Sequence, residues 1–358
     1  MARVAFFSPM KSPDSPVPSG DREMARNLIK AIGAQGDEVI LVSDLRIYDK
    51  TGNAEMQQRL HTYADAEARR LVTDLPSDTG LWVTYHNYYK APDLLGPKVC
   101  AARGIPYLQL ESTRATSRLH GPWSDFAQAA HDACDAADVI FYHTANDLIT
   151  LEREKYGKQR LVELPPFLPI TKLPPASTCD GPMLAVGMMR HGDKLASYQL
   201  LAQALSHLTG DWALDVAGDG PARSDVETLM APFGSKVRFL GQLDRDSVQT
   251  AYASASIVAW PGVNEAYGMI YLEAQASGVP VVAQDRPGVR DVLAPADYPA
   301  VDAGPEGLAT RLRTLLGDPA LRRSLGTTAR EYTSKRHLMP AATERFWQAA
   351  RPLIGGTA

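Results

Sequence analysis

The sequence predicts an α/β protein made of two doubly wound domains, on three observations. Short apolar runs without polar alternation recur along the chain, among them VAFF at 4–7, VIFY at 139–142, MLAV at 183–186 and IVAW at 257–260. That is the pattern of strands covered on both faces in a parallel sheet. Between these runs lie segments whose apolar residues fall at helical spacing. A proline-rich stretch, PPFLPITKLPP at 165–175, interrupts the alternation, which then starts again. Such a composition marks a semi-stiff linker between domains.

The bulk numbers agree with two soluble cores. A chain of 358 residues exceeds the size at which one hydrophobic core stops growing. A net charge of -4 and a pI near 6.1 exclude whole-chain attraction to nucleic acid or anionic lipid. Cys100, Cys134 and Cys179 are odd in number and widely spaced, with no C-x-x-C and no zinc pattern. They read as reduced thiols in a cytosol-like compartment. The apolar start at 1–10 is cut short by Pro9, Lys11 and Asp14, too soon for a signal peptide or a membrane span. Any membrane contact is therefore expected to be peripheral.

In chain order, a strand is expected at 4–8, a Pro- and Ser-rich loop at 9–20, a helix at 21–33 with Met24, Leu28 and Ile32 on one side, and a strand at 39–42. Only Gly20 represents a glycine-rich turn in that loop, so this is not the dinucleotide fingerprint and no nicotinamide cofactor is expected. A helix follows at 55–74. Strands at 81–84 and 107–110 carry His86 and Glu111 just beyond their carboxyl ends, where parallel sheets place ligands. A helix at 128–137, a strand at 139–142, a helix at 146–156 and a short strand at 162–164 complete the first half.

The second half opens with the strand at 183–186, running into GMMRHGDK at 187–194 and then a helix through Leu205. Arg190 and Lys194 in a glycine-containing strand-to-helix loop can clamp a diphosphate, arginine by a two-pronged grip and lysine as a compact charge. A strand at 212–217 leads to Gly218-Asp219-Gly220-Pro221, a helix at 225–233 and the strand 237–241, which includes Leu240. Asp244-Arg245-Asp246 directly precedes a helix at 247–255 and reads as a helix cap rather than a metal pair. Helices at 306–316, 319–333 and 339–352 end the chain.

Residues 257–283, IVAWPGVNEAYGMIYLEAQASGVPVVA, read as strand, tight loop, helix from Tyr267 and second strand. The helix must stop at Gly278 and Pro280. Glu265 lies just before the helix, where free amides of Ala266, Tyr267, Gly268 and Met269 face an anion. Glu273 lies eight residues on; at roughly 100° per residue it returns to nearly the same side. One acid at an anion site and another behind it suit a nucleotide sugar: diphosphate on the amides, one carboxylate on the ribose, the other facing the sugar.

E-A-Y-G-M-x-x-L-E-A-x-A-x-G-x-P-V-V, from Glu265 to Val282, resembles the E-x7-E signature of retaining glycosyltransferases of the GT-B fold, especially family 4 (group 1). The G-D-G-P and V-x-F-L-G elements are similar to the same family. The resemblance is specific over 183–293 and architectural before 165. It implies two facing Rossmann-like domains with a deep cleft: 1–166 on the acceptor side, 167–338 binding the donor, and 339–358 crossing back to the first. It implies Gly20, Gly187, Arg190, Lys194, Leu240, Glu265, Ala266, Tyr267, Gly268, Met269 and Glu273 at the donor. Lys194 and Arg190 would neutralise the leaving diphosphate, Glu273 would hold the ribose and Glu265 the sugar near the reacting face. Glu111 falls near a polar residue that meets the transferred sugar, and His86 falls one loop earlier; both are candidates for that contact. The single Gly20, with Ser19 before it, and the lack of Pro-Asn-Gly in the linker depart from the family pattern.

The implied reaction is transfer of a sugar from a nucleoside diphosphate sugar to a glycan or lipid-linked acceptor, with retention by same-face attack and no cofactor or metal. Competing readings are a phosphorylase or epimerase on the same fold, and a non-catalytic nucleotide-sugar-binding protein.

Overall fold

A computed structural model describes residues 1–16 and 19–354. The loop expected at 9–20 includes Val17 and Pro18, and the terminal segment 339–358 includes 355–358; these six lie outside the described residues. The chain divides into two compact units, Met1–Pro165 with Met339–Ala358, and Pro166–Leu338. Each holds one parallel sheet.

The first unit runs β1 (Arg3–Phe7), α1 (Gly20–Gly33), β2 (Glu38–Leu41), α2 (Ala54–Asp74), β3 (Thr79–Tyr85), α3 (Gly96–Arg103), β4 (Tyr107–Leu110), α4 (Ser124–Ala136), β5 (Val139–Tyr142), α5 (Ala145–Arg153) and β6 (Arg160–Glu163). The strand order is β2-β1-β3-β4-β5-β6, every pair parallel. The apolar runs fill its centre: Val4, Phe6, Val83, Leu108 and Ile140 are fully buried. Sequence periodicity missed α3, because GPKVCAAR carries little apolar stripe. A buried carboxylate fixes it instead. Asp93 accepts the N–H groups of Leu95 and Gly96 at 2.9 and 2.8 Å and hydrogen bonds from Thr84 and Tyr107, tying the start of α3 to β3 and β4. The helix expected at 146–156 starts earlier, on a capping box between Thr144 and Asp147, and stops at Arg153.

Within this unit α13 (Met339–Ile354) packs on α1. Phe346 stacks on Phe141 at 5.3 Å, and Thr343 and Trp347 donate to the carbonyls of Ala31 and Ile32. Arg351 lies over the Trp347 ring and grips the buried carboxylate of Asp37 with two hydrogen bonds.

The second unit runs β7 (Met183–Val186), α6 (Asp193–Ser206), β8 (Leu214–Ala217), α7 (Arg223–Met230), β9 (Val237–Gly241), α8 (Arg245–Ser254), β10 (Val258–Ala259), α9 (Met269–Ala276), β11 (Val281–Val282), α10 (Val289–Val292), α11 (Gly304–Gly317) and α12 (Pro319–Arg336). Its sheet is parallel in the order β11-β10-β7-β8-β9. Asp244 caps α8, accepting the Ser247 N–H at 2.8 Å. The helix expected at 225–233 ends at Met230 and passes into a 3-10 segment, Ala231–Lys236, which carries Pro232 in its first turn and is kinked at Gly234, φ 55°.

The helix expected from Tyr267 begins at Met269 instead. Gly268, at φ 75°, is the last residue of the loop and breaks the helical path. Ala266 and Tyr267 therefore belong to the loop, and the eight-residue helical repeat argued between Glu265 and Glu273 does not exist as such.

Trp347 is 3% exposed, so Trp347→Ala should lower the unfolding free energy of the first unit by about 3–5 kcal/mol in urea titration. A loss under about 1 kcal/mol would show that α13 contributes little to that core.

Candidate functional site

The second unit's candidate site is assembled on Trp260, the residue after β10. Its indole is fully buried and lies edge-on to Tyr198 at 4.9 Å. Gly187, just past β7, rests against the ring: a Cβ there would come within 2.9 Å of it. Tyr198 donates its hydroxyl hydrogen to the Gly187 carbonyl at 2.8 Å, and Tyr271 donates to the Trp260 carbonyl at 3.1 Å. The polar edge of the indole is then used: Trp260 Nε1 donates to Glu265 Oε1 at 3.0 Å. Lys194 Nζ pairs with the same oxygen and lies 5.7 Å from the Trp260 ring centroid. The Glu265 side chain is only 12% exposed, so this contact is largely shielded from water.

The loop carrying Glu265 is pinned to the start of α6, the helix that carries Lys194. Asn264, itself left-handed at φ 48°, donates to Asp193 at 2.9 Å. The Val263 N–H donates to Ser197 Oγ at 3.1 Å. Lys194 and Glu265 are thus held together across 71 residues of sequence.

At the start of α9 no side chain caps the first amides. Gly268 and Met269 present this end as an anion-binding terminus. Glu273, one turn into α9, accepts a hydrogen bond from the buried Tyr252 hydroxyl at 3.0 Å. Burial raises the Glu273 carboxyl above the usual carboxylate range, opposed by the Tyr252 hydrogen bond and the nearby Arg245 charge. Glu265 and Glu273 therefore have separate partners.

Arg190 is exposed, forms no ion pair among the described residues, and lines a cavity of about 370 Å³ with Gly187, Gly218, Gly220, Gln242 and Leu243. That volume suits a small ligand. Leu240 is in β9, two residues before Gln242. Gly218 has no alternative here: a Cβ would fall 1.9 Å from the Gly187 carbonyl oxygen. A larger cavity of about 540 Å³, lined by Met183, Leu214 and Arg238, opens at the amino ends of the strands. Parallel sheets bind at the other end, which favours the Gly187 cavity.

In the first unit, Gly20 opens α1, capped by Ser19, which accepts the Arg22 N–H. His86 and Glu111 directly follow β3 and β4, and both are left-handed, at φ 72° and 54°. For such residues the conformation costs about 1 kcal/mol or more each. Hydrogen bonds from His86 N to Leu110 O and from Glu111 N to Phe141 O, 2.9 and 3.0 Å, hold them there. His86 Nδ1 lies 4.0 Å from Asp21. Glu111 Oε2 lies 3.6 Å from Nε2 of His143, whose Nδ1–H donates to the Leu164 carbonyl at 2.6 Å.

Sequence reasoning missed Trp260 and His143 as site residues. Trp260 looked like core, and only its place at the end of a buried strand could have marked it. His143 follows β5 as Glu111 follows β4, which was the available signal.

The family model described as glycosyl transferases group 1 matches residues 184–332. A sulfoquinovosyl transferase of Arabidopsis thaliana is 37% identical over 133 residues, 36% of this chain and 26% of that protein. The chain spans about a quarter to a third of the length of the curated relatives it first matches. Sucrose-phosphate synthase of Thermosynechococcus elongatus superposes with a TM-score of 0.72 at 19% identity, over 100% of both chains. HepE of Anabaena in complex with UDP-glucose superposes at 0.66 and 15% identity, over 99% of both. These two likenesses show the fold. Residues 184–332 thus match the glycosyl transferases group 1 family model, in a chain with the GT-B fold of two Rossmann-like α/β units.

Proposed function

We propose that this protein is a retaining glycosyltransferase that takes its sugar from a nucleoside diphosphate sugar. The observation that carries this reading is the Lys194–Glu265 pair fixed on Trp260 beside the uncapped start of α9. The diphosphate would sit on the α9 amides near Gly268 and Met269, drawing Lys194 and Arg190 to its oxygens as charge builds on the leaving group. The nucleoside would occupy the cavity beside Gly187, with Leu240 near the base and Glu273 on the ribose hydroxyls. Glu265, released in part from Lys194, would accept hydrogen bonds from the sugar near the reacting face.

The first unit would carry a glycan or lipid-linked acceptor at His86 and Glu111. Retention follows from same-face attack, with the leaving phosphate oxygen taking the acceptor's proton. Membership of family 4 is part of this proposal. No helix among the described residues is long and apolar enough to cross a membrane; contact with a lipid-linked acceptor would be peripheral. A cytosol-like compartment suits the three buried thiols.

Glu265→Gln should lose most transfer activity while donor affinity stays within about tenfold; retained turnover would sink its role. Trp260→Phe keeps an aromatic ring but removes the indole N–H together with part of the ring volume, so kcat should fall about tenfold or more with donor KM little changed. An unchanged kcat would show that the indole N–H does not position Glu265.

Glu273 yields a pH dependence of stability. Its folded pKa is raised, so the unfolded form ionises first. The side chain then costs stability increasingly as pH climbs from the ordinary carboxylate range through the folded value, and nothing below that range. Glu273→Gln removes this cost. Its Tm relative to the parent should rise as pH climbs from the ordinary carboxylate range, while donor affinity falls about tenfold. A Tm difference flat with pH would contradict the assignment.

A further inference from the structure

The loops beyond β3 and β4 hold a second cluster, which the donor chemistry leaves unused. Four rings follow one another, beginning at His86. His86 lies 4.9 Å from Tyr88, Tyr88 lies 5.6 Å from Tyr89, and Tyr89 lies 5.7 Å from Trp123. At the outer end two cations share one pair of rings. Lys90 Nζ is 5.5 Å from both Tyr89 and Trp123, and Arg118 Cζ is 5.1 and 5.6 Å from them. Neither forms an ion pair among the described residues. The neighbouring acid Asp125 is taken by His61 at 2.8 Å.

The cluster is fixed before any ligand arrives. The Asp49 carboxylate accepts the N–H groups of Thr51, Gly52 and Asn53, closing its own loop. The Asp49 N–H donates to the Lys90 carbonyl at 2.9 Å, and the Trp123 indole N–H donates to the Asp49 carbonyl at 3.4 Å. Gln57 bridges Asp49 and the Pro122 carbonyl. Three loops are thereby cross-bonded, and little ordering cost remains for binding.

Two like charges set over the same rings with no carboxylate between them are matched to an anion, and a phosphate is the group that arginine and lysine grip best together. Tyr89 and Trp123 are half-buried, and aromatic rings are the groups against which a pyranose packs its C–H groups. The ring series leads from this anion site back to His86. We propose that the acceptor is a phosphate-bearing saccharide: phosphate on Lys90 and Arg118, sugar on Tyr89 and Trp123, free hydroxyl end directed past Tyr88 toward His86. This rests on the transferase reading above, yet it is tested by binding alone.

The test is calorimetric titration of the full chain with glucose, mannose and N-acetylglucosamine 6-phosphates, each beside its neutral sugar. Parallel titrations use phosphatidylcholine vesicles doped with phosphatidylinositol or with phosphatidylglycerol. At least one phosphosugar, free or as the inositol lipid, should bind about tenfold or more tighter than its partner lacking the phosphate or the sugar. Binding of the soluble phosphates points to a free acceptor, and binding of the inositol lipid alone to a lipid-carried one. K90Q/R118Q should abolish the preference, and Trp123→Leu, which removes both the sugar platform and the ring under the two cations, should weaken phosphosugar binding more than inorganic phosphate binding. The proposal is overturned if no probe shows the preference, or if the preference survives K90Q/R118Q. Thermal shift with UDP, GDP and ADP separates the two readings. Stabilisation by none of them in the parent counts against the donor site, whatever the phosphosugars do.

Discussion

The second unit's candidate site depends on one buried hydrogen bond, from the indole N–H of Trp260 to Glu265. A carboxylate this shielded is tolerated only when its oxygens find donors. Trp260 supplies a fixed donor and Lys194 a charged one, so both side chains stand in place without substrate. The indole is itself held by Tyr198 and the close approach of Gly187, and the Trp260 backbone by Tyr271. A chain of packing contacts from sheet core to loop thus decides where the acid stands. Preorganised charge of this kind is worth more than the same charge in water, because nothing reorients during reaction.

Glu273 follows the opposite logic. It takes its hydrogen bond from a buried phenol and is held in surroundings that resist its ionisation. A hydroxyl-rich ligand would supply the missing donors, and part of the unliganded strain would be relieved on binding. Stability spent at a functional carboxylate and recovered with ligand is a common trade in binding sites.

Much of this was legible in the sequence, and the misses have physical causes. Unalternating runs such as MLAV and VIFY named their strands because burial on both faces leaves no polar positions. Asp244 read as a cap because its neighbours offered the amides it caps. By contrast, α3 is held by Asp93 rather than by an apolar stripe, and local period cannot report that. The start of α9 was placed two residues early because the backbone angle of Gly268 is a tertiary fact. The contact of Lys194 with Glu265 joins separate βα units, and the Asn264–Asp193 bond that enforces it pairs side chains no spacing rule connects. The left-handed backbone at His86 and Glu111 was likewise invisible, since neither residue type announces it.

The account turns on Lys194 and Glu265 forming the binding centre for an activated sugar. The most direct measurement is calorimetric titration of UDP-, GDP- and ADP-sugars into the full chain and into Lys194→Ala. One donor should bind the parent and lose about thirtyfold or more in the variant, as expected for removal of a charge-assisted contact to phosphate. Equal affinity in parent and variant, or no binding of any nucleoside diphosphate sugar to the parent, would contradict it.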